Sequence, residues 1–217
     1  MELEASDLIV AHRVSADLRA DDLDQEEWER ASPAHITRYW SGEEAPAGRQ
    51  AEARVLWTGA ALCVRFDCRQ SEPLVVSATP QREEKTIGLW ERDVCEIFVA
   101  PDPLEPERYF EFEAAPTGEW LDLAIRQLPQ ARETDWQYRS GMTAAARIQE
   151  GRIIVAMCVP WEAFPRAPQR GERWRANLFR CVGASGPQRG YLAWQPTRTE
   201  QPNFHVPQAF GEIVFQE

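Results

Sequence analysis

Apolar and polar residues alternate with a period of two along much of this chain, and runs with helical period are short and few. Leu62, Val64 and Phe66 alternate with Cys63, Arg65 and Asp67. With Ala53–Trp57 before them and Thr58-Gly59-Ala60 between, they predict a hairpin with one buried face. Asp93–Val99 (DVCEIFV) predicts a strand with Val94, Glu96 and Phe98 on one face and Cys95, Ile97 and Val99 on the other. Arg108–Glu113 (RYFEFE) sets Phe110 and Phe112 against Tyr109, Glu111 and Glu113. Thr117-Gly118 turns the chain before Trp120–Ile125. Thr143–Ile148 and Arg152–Val159 flank the turn Glu150-Gly151 as a second hairpin. Trp174–Val182 and Glu212–Phe215 complete the strand series. Residues 19–31 (RADDLDQEEWERA) predict a short acidic helix, 43–50 a loop, and Pro160–Phe164 a helical turn or crossover. Strands at this spacing, broken by Gly and Pro, predict an all-β fold: a β-sandwich of two mainly antiparallel sheets forming one domain over 1–217. Val64, Phe66, Ile97, Phe112, Val155 and Leu178 are its expected core.

Composition narrows the functions. The formal net charge is −11, which disfavours nucleic acid and anionic membrane as partners. No apolar run reaches the roughly 20 residues of a membrane helix. MELEASDLIVAHRV lacks the basic and apolar regions of a signal peptide. A cytoplasmic location is therefore the default expectation, and an extracellular one if a leader has been removed. The five cysteines (Cys63, Cys68, Cys95, Cys158, Cys181) are odd in number and form no CxxC pair. The expectation is free thiols acting as small hydrophobes, with neither a disulfide framework nor a zinc site. His12, His35 and His205 are not spaced for a metal, and Met157 with His205 does not mark a haem site. The acidic loop Asp102, Glu105, Glu107 lacks an EF-hand pattern. No nucleophile elbow is present: Gly183-Ala184-Ser185-Gly186 is a turn.

Nine tryptophans are many for 217 residues, and Trp serves binding faces as well as cores. Four stretches, in order, carry a resemblance. They are Trp90-Glu91-Arg92-Asp93-Val94-Cys95-Glu96-Ile97-Phe98; Tyr109–Glu113 followed by Pro116-Thr117-Gly118; Gly171–Arg180; and Leu192–Thr197 continuing to Asn203–Pro207 and Phe210-Gly211. Together they resemble the family 9 carbohydrate-binding modules and their bacterial family-9-like relatives over about residues 55–215. The resemblance implies a β-sandwich that binds a mono- or oligosaccharide without catalysis, often at its reducing end, in the service of polysaccharide breakdown. A glycoside hydrolase is the partner it implies, and calcium the metal, since family members carry it.

Residue by residue, the resemblance makes Trp90 one side of an aromatic clamp and Glu96 its hydroxyl-binding carboxylate. Phe204, six residues before Phe210, stands where well-known members have the second clamp Trp. Glu113 stands near an arginine that contacts sugar in some members, so Arg180, Asn203 or His205 is expected to supply the missing donor. Trp194 is expected to be structural. The chemistry agrees: a pyranose offers an apolar face to an aromatic plane and hydroxyls to carboxylates and amides. The alternative from a different class is an interaction or sensor sandwich that has lost the sugar site. Catalysis by Glu96, Glu111, Glu113 and Asp122 would require two carboxyls flanking the scissile bond, and is not expected.

Overall fold

The structure, a computed structural model, describes residues 7–14 and 18–217. Part of the amino-terminal stretch read against a signal peptide, residues 1–6, lies outside them. Among the described residues fourteen strands run β1 (Leu8–Arg13), β2 (Ala34–Ile36), β3 (Arg38–Tyr39), β4 (Ala51–Trp57), β5 (Ala61–Arg69), β6 (Val94–Ala100) and β7 (Arg108–Ala114). They continue with β8 (Trp120–Gln127), β9 (Arg132–Asp135), β10 (Thr143–Gln149), β11 (Arg152–Pro160), β12 (Arg173–Val182), β13 (Gly190–Ala193) and β14 (Gly211–Gln216).

Two antiparallel arrays make the layers. One is β10-β11-β5-β4; the other is β14-β12-β6-β7-β8-β9. β1 joins them by pairing in parallel with both β4 and β14. The main core lies between the arrays. It takes Val64, Phe66 and Val155 from the first and Ile97, Phe112 and Leu178 from the second, all six of the expected core residues. Trp174 is wholly buried there, edge-on to Phe215 at 5.0 Å and to Trp161 at 6.0 Å.

Three features depart from the sequence reading. Residues 19–31 do not form a regular helix: two tight turns are followed by a 3-10 helix over Glu26–Arg30. Leu18, Ala20, Leu23, Trp28 and Ala31 instead spread over the outer face of β4, β5 and β11. Their spacing fits a coil draped on a sheet better than one helical stripe. Second, Cys63 and Cys158 are joined in a disulfide, contrary to the expectation of free thiols. They face each other directly across β5 and β11, a pairing that a separation of 95 residues hides in the sequence. Cys68, Cys95 and Cys181 are free and buried. Third, the short strands β1, β2, β3, β9 and β13 carry too little alternation to be read.

Arg180 also departs from its expected place. On β12 it stands opposite Cys95, whereas its neighbour Phe179 stands opposite Glu96. Alternation therefore sends Arg180 to the inner face. Its guanidinium crosses the layer gap to the carbonyls of Arg49 (2.6 Å) and Arg69 (2.7 Å) and to Gln70 Oε1 (2.5 Å). It ties the two arrays together and does not reach the outer face. Asp122 is likewise on the inner side. It is fully buried, 2.5 Å from Lys85 Nζ, and accepts hydrogen bonds from the Ser140 N–H and hydroxyl.

Candidate functional site

The outer face of β12-β6-β7-β8 carries a second apolar cluster that includes Phe98, Tyr109, Leu123, Ile125, Phe179, Phe204 and Phe210. Loops roof part of it, and a pocket of about 290 Å³ opens beside them. That is near the lower end of ligand-site volumes, roughly 300–1,000 Å³. Trp90, Glu96, Asn203, Phe204 and His205 line this pocket. The structure thus brings together five of the six residues singled out from the sequence and excludes Arg180.

Trp90 sits in the 3-10 turn Leu89–Glu91, entered through Gly88 at φ +82°. A Cβ there would meet no atom within 4 Å, so the backbone conformation is what calls for glycine. Arg189, largely buried, holds the turn: its guanidinium donates to the carbonyls of Trp90 (2.7 Å), Arg92 and Gly183 (2.8 Å). This fixing residue was not visible in the sequence.

The ring beside Trp90 is Trp136. Their centroids lie 6.3 Å apart at 44°, and Trp136 is 43% exposed. Phe204, expected as the opposite clamp face, is buried in the wall. It stacks on Phe179 at 4.0 Å and 13° and meets Tyr191 edge-on. The angled, solvent-facing aromatic surface is therefore Trp90 with Trp136. Trp136 follows β9 in the polar stretch Arg132-Glu133-Thr134-Asp135. A Trp in so polar a segment was the available signal. Trp194 is structural as expected: its ring occupies the space where a Cβ on Gly211 would sit.

The polar lining comes from alternation. Glu96 on β6 faces Glu113 on β7, and Phe98 faces Glu111, so the three glutamates share the outer face. All three are buried, and one oxygen of each lies within 4.8 Å of the others. Cys181 Sγ is 3.4 Å from Glu96 Oε1. Glu111 Oε2 and both oxygens of Glu113 have no hydrogen-bond partner. Burial, reinforced by the charge of Glu111, pushes the Glu96 carboxyl up to about 8. Burial raises Glu111 and Glu113 as well.

His205 lies 2.9 Å through Nδ1 from the Tyr109 hydroxyl and 4.0 Å from Glu111 Oε2. Burial, then the charge of Arg132, lowers it to about 3, so the ring is neutral near pH 7. The Asn203 Oδ1 accepts the His205 N–H at 3.0 Å, leaving the amide nitrogen to donate. Exposed Arg132 on β9 also lines the pocket and brings the guanidinium expected from Arg180. The acidic loop does not gather its carboxylates. Asp102 Oδ1 accepts the Leu104 N–H, and Glu105 pairs with Arg108.

Comparison with known proteins matches residues 21–217 to a family model described as carbohydrate family 9 binding domain-like. No curated protein sequence matches the chain. Among solved structures, it is similar to a candidate carbohydrate-binding protein from Bacteroides uniformis ATCC 8492. The TM-score is 0.76 and the identity 18%, over 96% of this chain and 99% of that one. It is also similar to a carbohydrate-binding module family 9 from Caldicellulosiruptor kristjanssonii, solved with glucose and with cellotriose. The TM-scores are 0.68 and 0.67, each at 14% identity and 96% of this chain, over 95% and 93% of the other. At these identities the structural likeness establishes the fold.

Proposed function

The chain belongs to the carbohydrate family 9 binding domain-like family, a family of non-catalytic sugar binders, and we propose that its own sugar site is the Trp90–Trp136 pocket. The observation that carries this reading is an exposed indole, Trp136, beside the half-buried indole of Trp90 and a buried carboxyl floor in one pocket. A sugar ring's C–H face lies on the indoles, and its hydroxyls turn inward to Glu96 and Glu111. Glu96, held protonated near neutrality by its burial, both donates and accepts. Asn203 and Arg132 add donors at the rim.

The three glutamates project from the adjacent strands β6 and β7. They form one wall, whereas glycoside hydrolysis places two carboxyls on either side of the scissile bond. Binding without bond cleavage fits that arrangement. The small volume suits a single ring or a chain end, and a glycoside hydrolase is the partner that such a module would serve.

Calorimetric titration with glucose and cellotriose, backed by a glycan panel, tests the reading. Saturable binding at about millimolar strength or tighter is expected, and it weakens about tenfold in Trp136→Ala. A folded chain that binds no sugar in the panel overturns it.

A further inference from the structure

Cys68, Cys95 and Cys181 stand outside the Cys63–Cys158 disulfide, and alternation sorts them by face. On β5, Cys68 keeps step with Val64 and Phe66 and enters the main core, whereas Cys63 points to the outer cluster with Trp28. On β6, Cys95 keeps step with Ile97 and Val99 and enters the same core from the other array. Cys181 belongs to the outer apolar cluster around Phe98. Cys68 and Cys95 therefore meet across the layer gap. Their Sγ atoms are in hydrogen-bond contact at 3.5 Å, and both residues are buried.

A disulfide needs side chains that converge and sulfurs about 2.05 Å apart. Two sulfurs already touching from facing layers meet the first condition. The gap left to close is about 1.5 Å, within reach of side-chain rotation. The hydrogen bond from Cys95 lowers the Cys68 thiol; burial opposes it, and the charge of Arg180, which stands opposite Cys95 on β12, lowers it further. The thiolate is the attacking form in disulfide exchange. Between the two cysteines runs the segment 70–93, which holds no strand and carries the 3-10 turn of Trp90.

We propose that Cys68 and Cys95 are a second disulfide-forming pair, whose bond staples the two sheet arrays together at the base of the segment 70–93. Cys68 gives up its proton and attacks one sulfur of an external disulfide of the glutathione class. The external S–S bond breaks, and one thiolate leaves. Cys95 then gives up its proton and attacks the Cys68 sulfur of the mixed disulfide, expelling the second thiolate. The two protons end on the two released thiols, so one external disulfide is reduced as the cysteine pair is oxidised. Burial confines the exchange to folding or to local opening of the segment 70–93.

The test incubates the full chain, both native and refolding from urea, with oxidised glutathione. Acid quenching, denaturation and alkylation without reductant precede a non-reducing digest and mass spectrometry. A peptide joining Cys68 to Cys95 is expected, with Cys181 left as the alkylated cysteine; without the oxidant, Cys68 and Cys95 are alkylated too. With Cys63–Cys158 joined in both, the form holding the new bond should have the higher Tm, because the bond restricts the unfolded chain. Cys68→Ser should yield no second form and leave Cys95 open to alkylation. Should that variant fail to fold, the linked peptide of the wild-type chain decides alone. Alkylation of both Cys68 and Cys95 after refolding in the oxidant overturns the proposal. So does either of them joined to Cys181, or a new bond that leaves the Tm level or lowers it.

Discussion

Glu96 of β6 and Glu113 of β7 stand directly opposite each other across the ladder, both buried, with Glu111 beside them on the same face. Like charges directly opposite destabilise a sheet. Here burial, reinforced by the charge of Glu111, raises the Glu96 carboxyl, and burial raises those of Glu111 and Glu113. The ordinary value of Glu96 is 4.5, and in the fold it rises to about 8. A raised folded value means that the protonated form is favoured by folding. That contribution is fully present below pH 4.5 and lost as pH rises through about 8. With a chelator present, the melting temperature is therefore expected to fall from about pH 5 to about pH 9. Glu113→Gln should flatten the profile. Melts that rise or stay level across that range contradict this account.

The two indoles of the pocket make separable predictions. Trp136 is exposed and follows the edge strand β9, so Trp136→Ala should leave the fold intact. If its ring carries part of the stacking, sugar affinity falls about tenfold, or about 1.4 kcal/mol. Trp90→Ala should lose at least as much, because Arg189 fixes the backbone turn that carries that ring. Phe204→Ala is different: it removes a wall residue stacked on Phe179 and should lower stability by about 3 kcal/mol. Calorimetry paired with thermal melts separates these effects. Full sugar affinity in Trp136→Ala would return the aromatic role to Phe204.

Much of this molecule was legible because it is written in alternation. The strands that bear the core gave period-two patterns, and the same patterns put Glu96 and Phe98 on one face and Tyr109, Glu111 and Glu113 on one face. What alternation could not supply was pairing. Nothing local says that Glu96 faces Glu113, or that Cys63 faces Cys158 across 95 residues. Edge strand β9 is polar and four residues long, as edge strands often are. Arg132 and Trp136 went unread with it. Arg180 was misplaced although its parity was readable: it alternates with Phe179 and Cys181, and those two face outward with Glu96.

The disulfide carries a prediction about stability. Cys63 and Cys158 close a loop spanning 95 positions, and linking residues that far apart restricts the unfolded chain strongly. Reduction, or the Cys63→Ser and Cys158→Ser pair, should cost about 2–5 kcal/mol. The shift in urea midpoint with and without reductant measures it. Rapid alkylation of both cysteines in unfolded, unreduced protein would show instead that no bond is present.

Arg180 separates structure from binding most sharply. Its side chain leaves β12 on the inner face, and its guanidinium donates to the backbone carbonyls of Arg49, Gln50 and Arg69 and to Gln70 Oε1. Replacement by methionine keeps much of the apolar stem but strands those acceptors between the layers. An unsatisfied buried acceptor costs about 1–3 kcal/mol, so a loss on the order of 3 kcal/mol is expected for the set. The Glu96 face should be unaffected, because Phe179 and Cys181, not Arg180, point toward it. Arg180→Met should therefore melt well below the parent yet bind sugar with the parent's affinity at a temperature where it is still folded. If it instead keeps the parent's melting temperature and loses the sugar, the guanidinium belongs to the site, and the inward orientation described here is wrong.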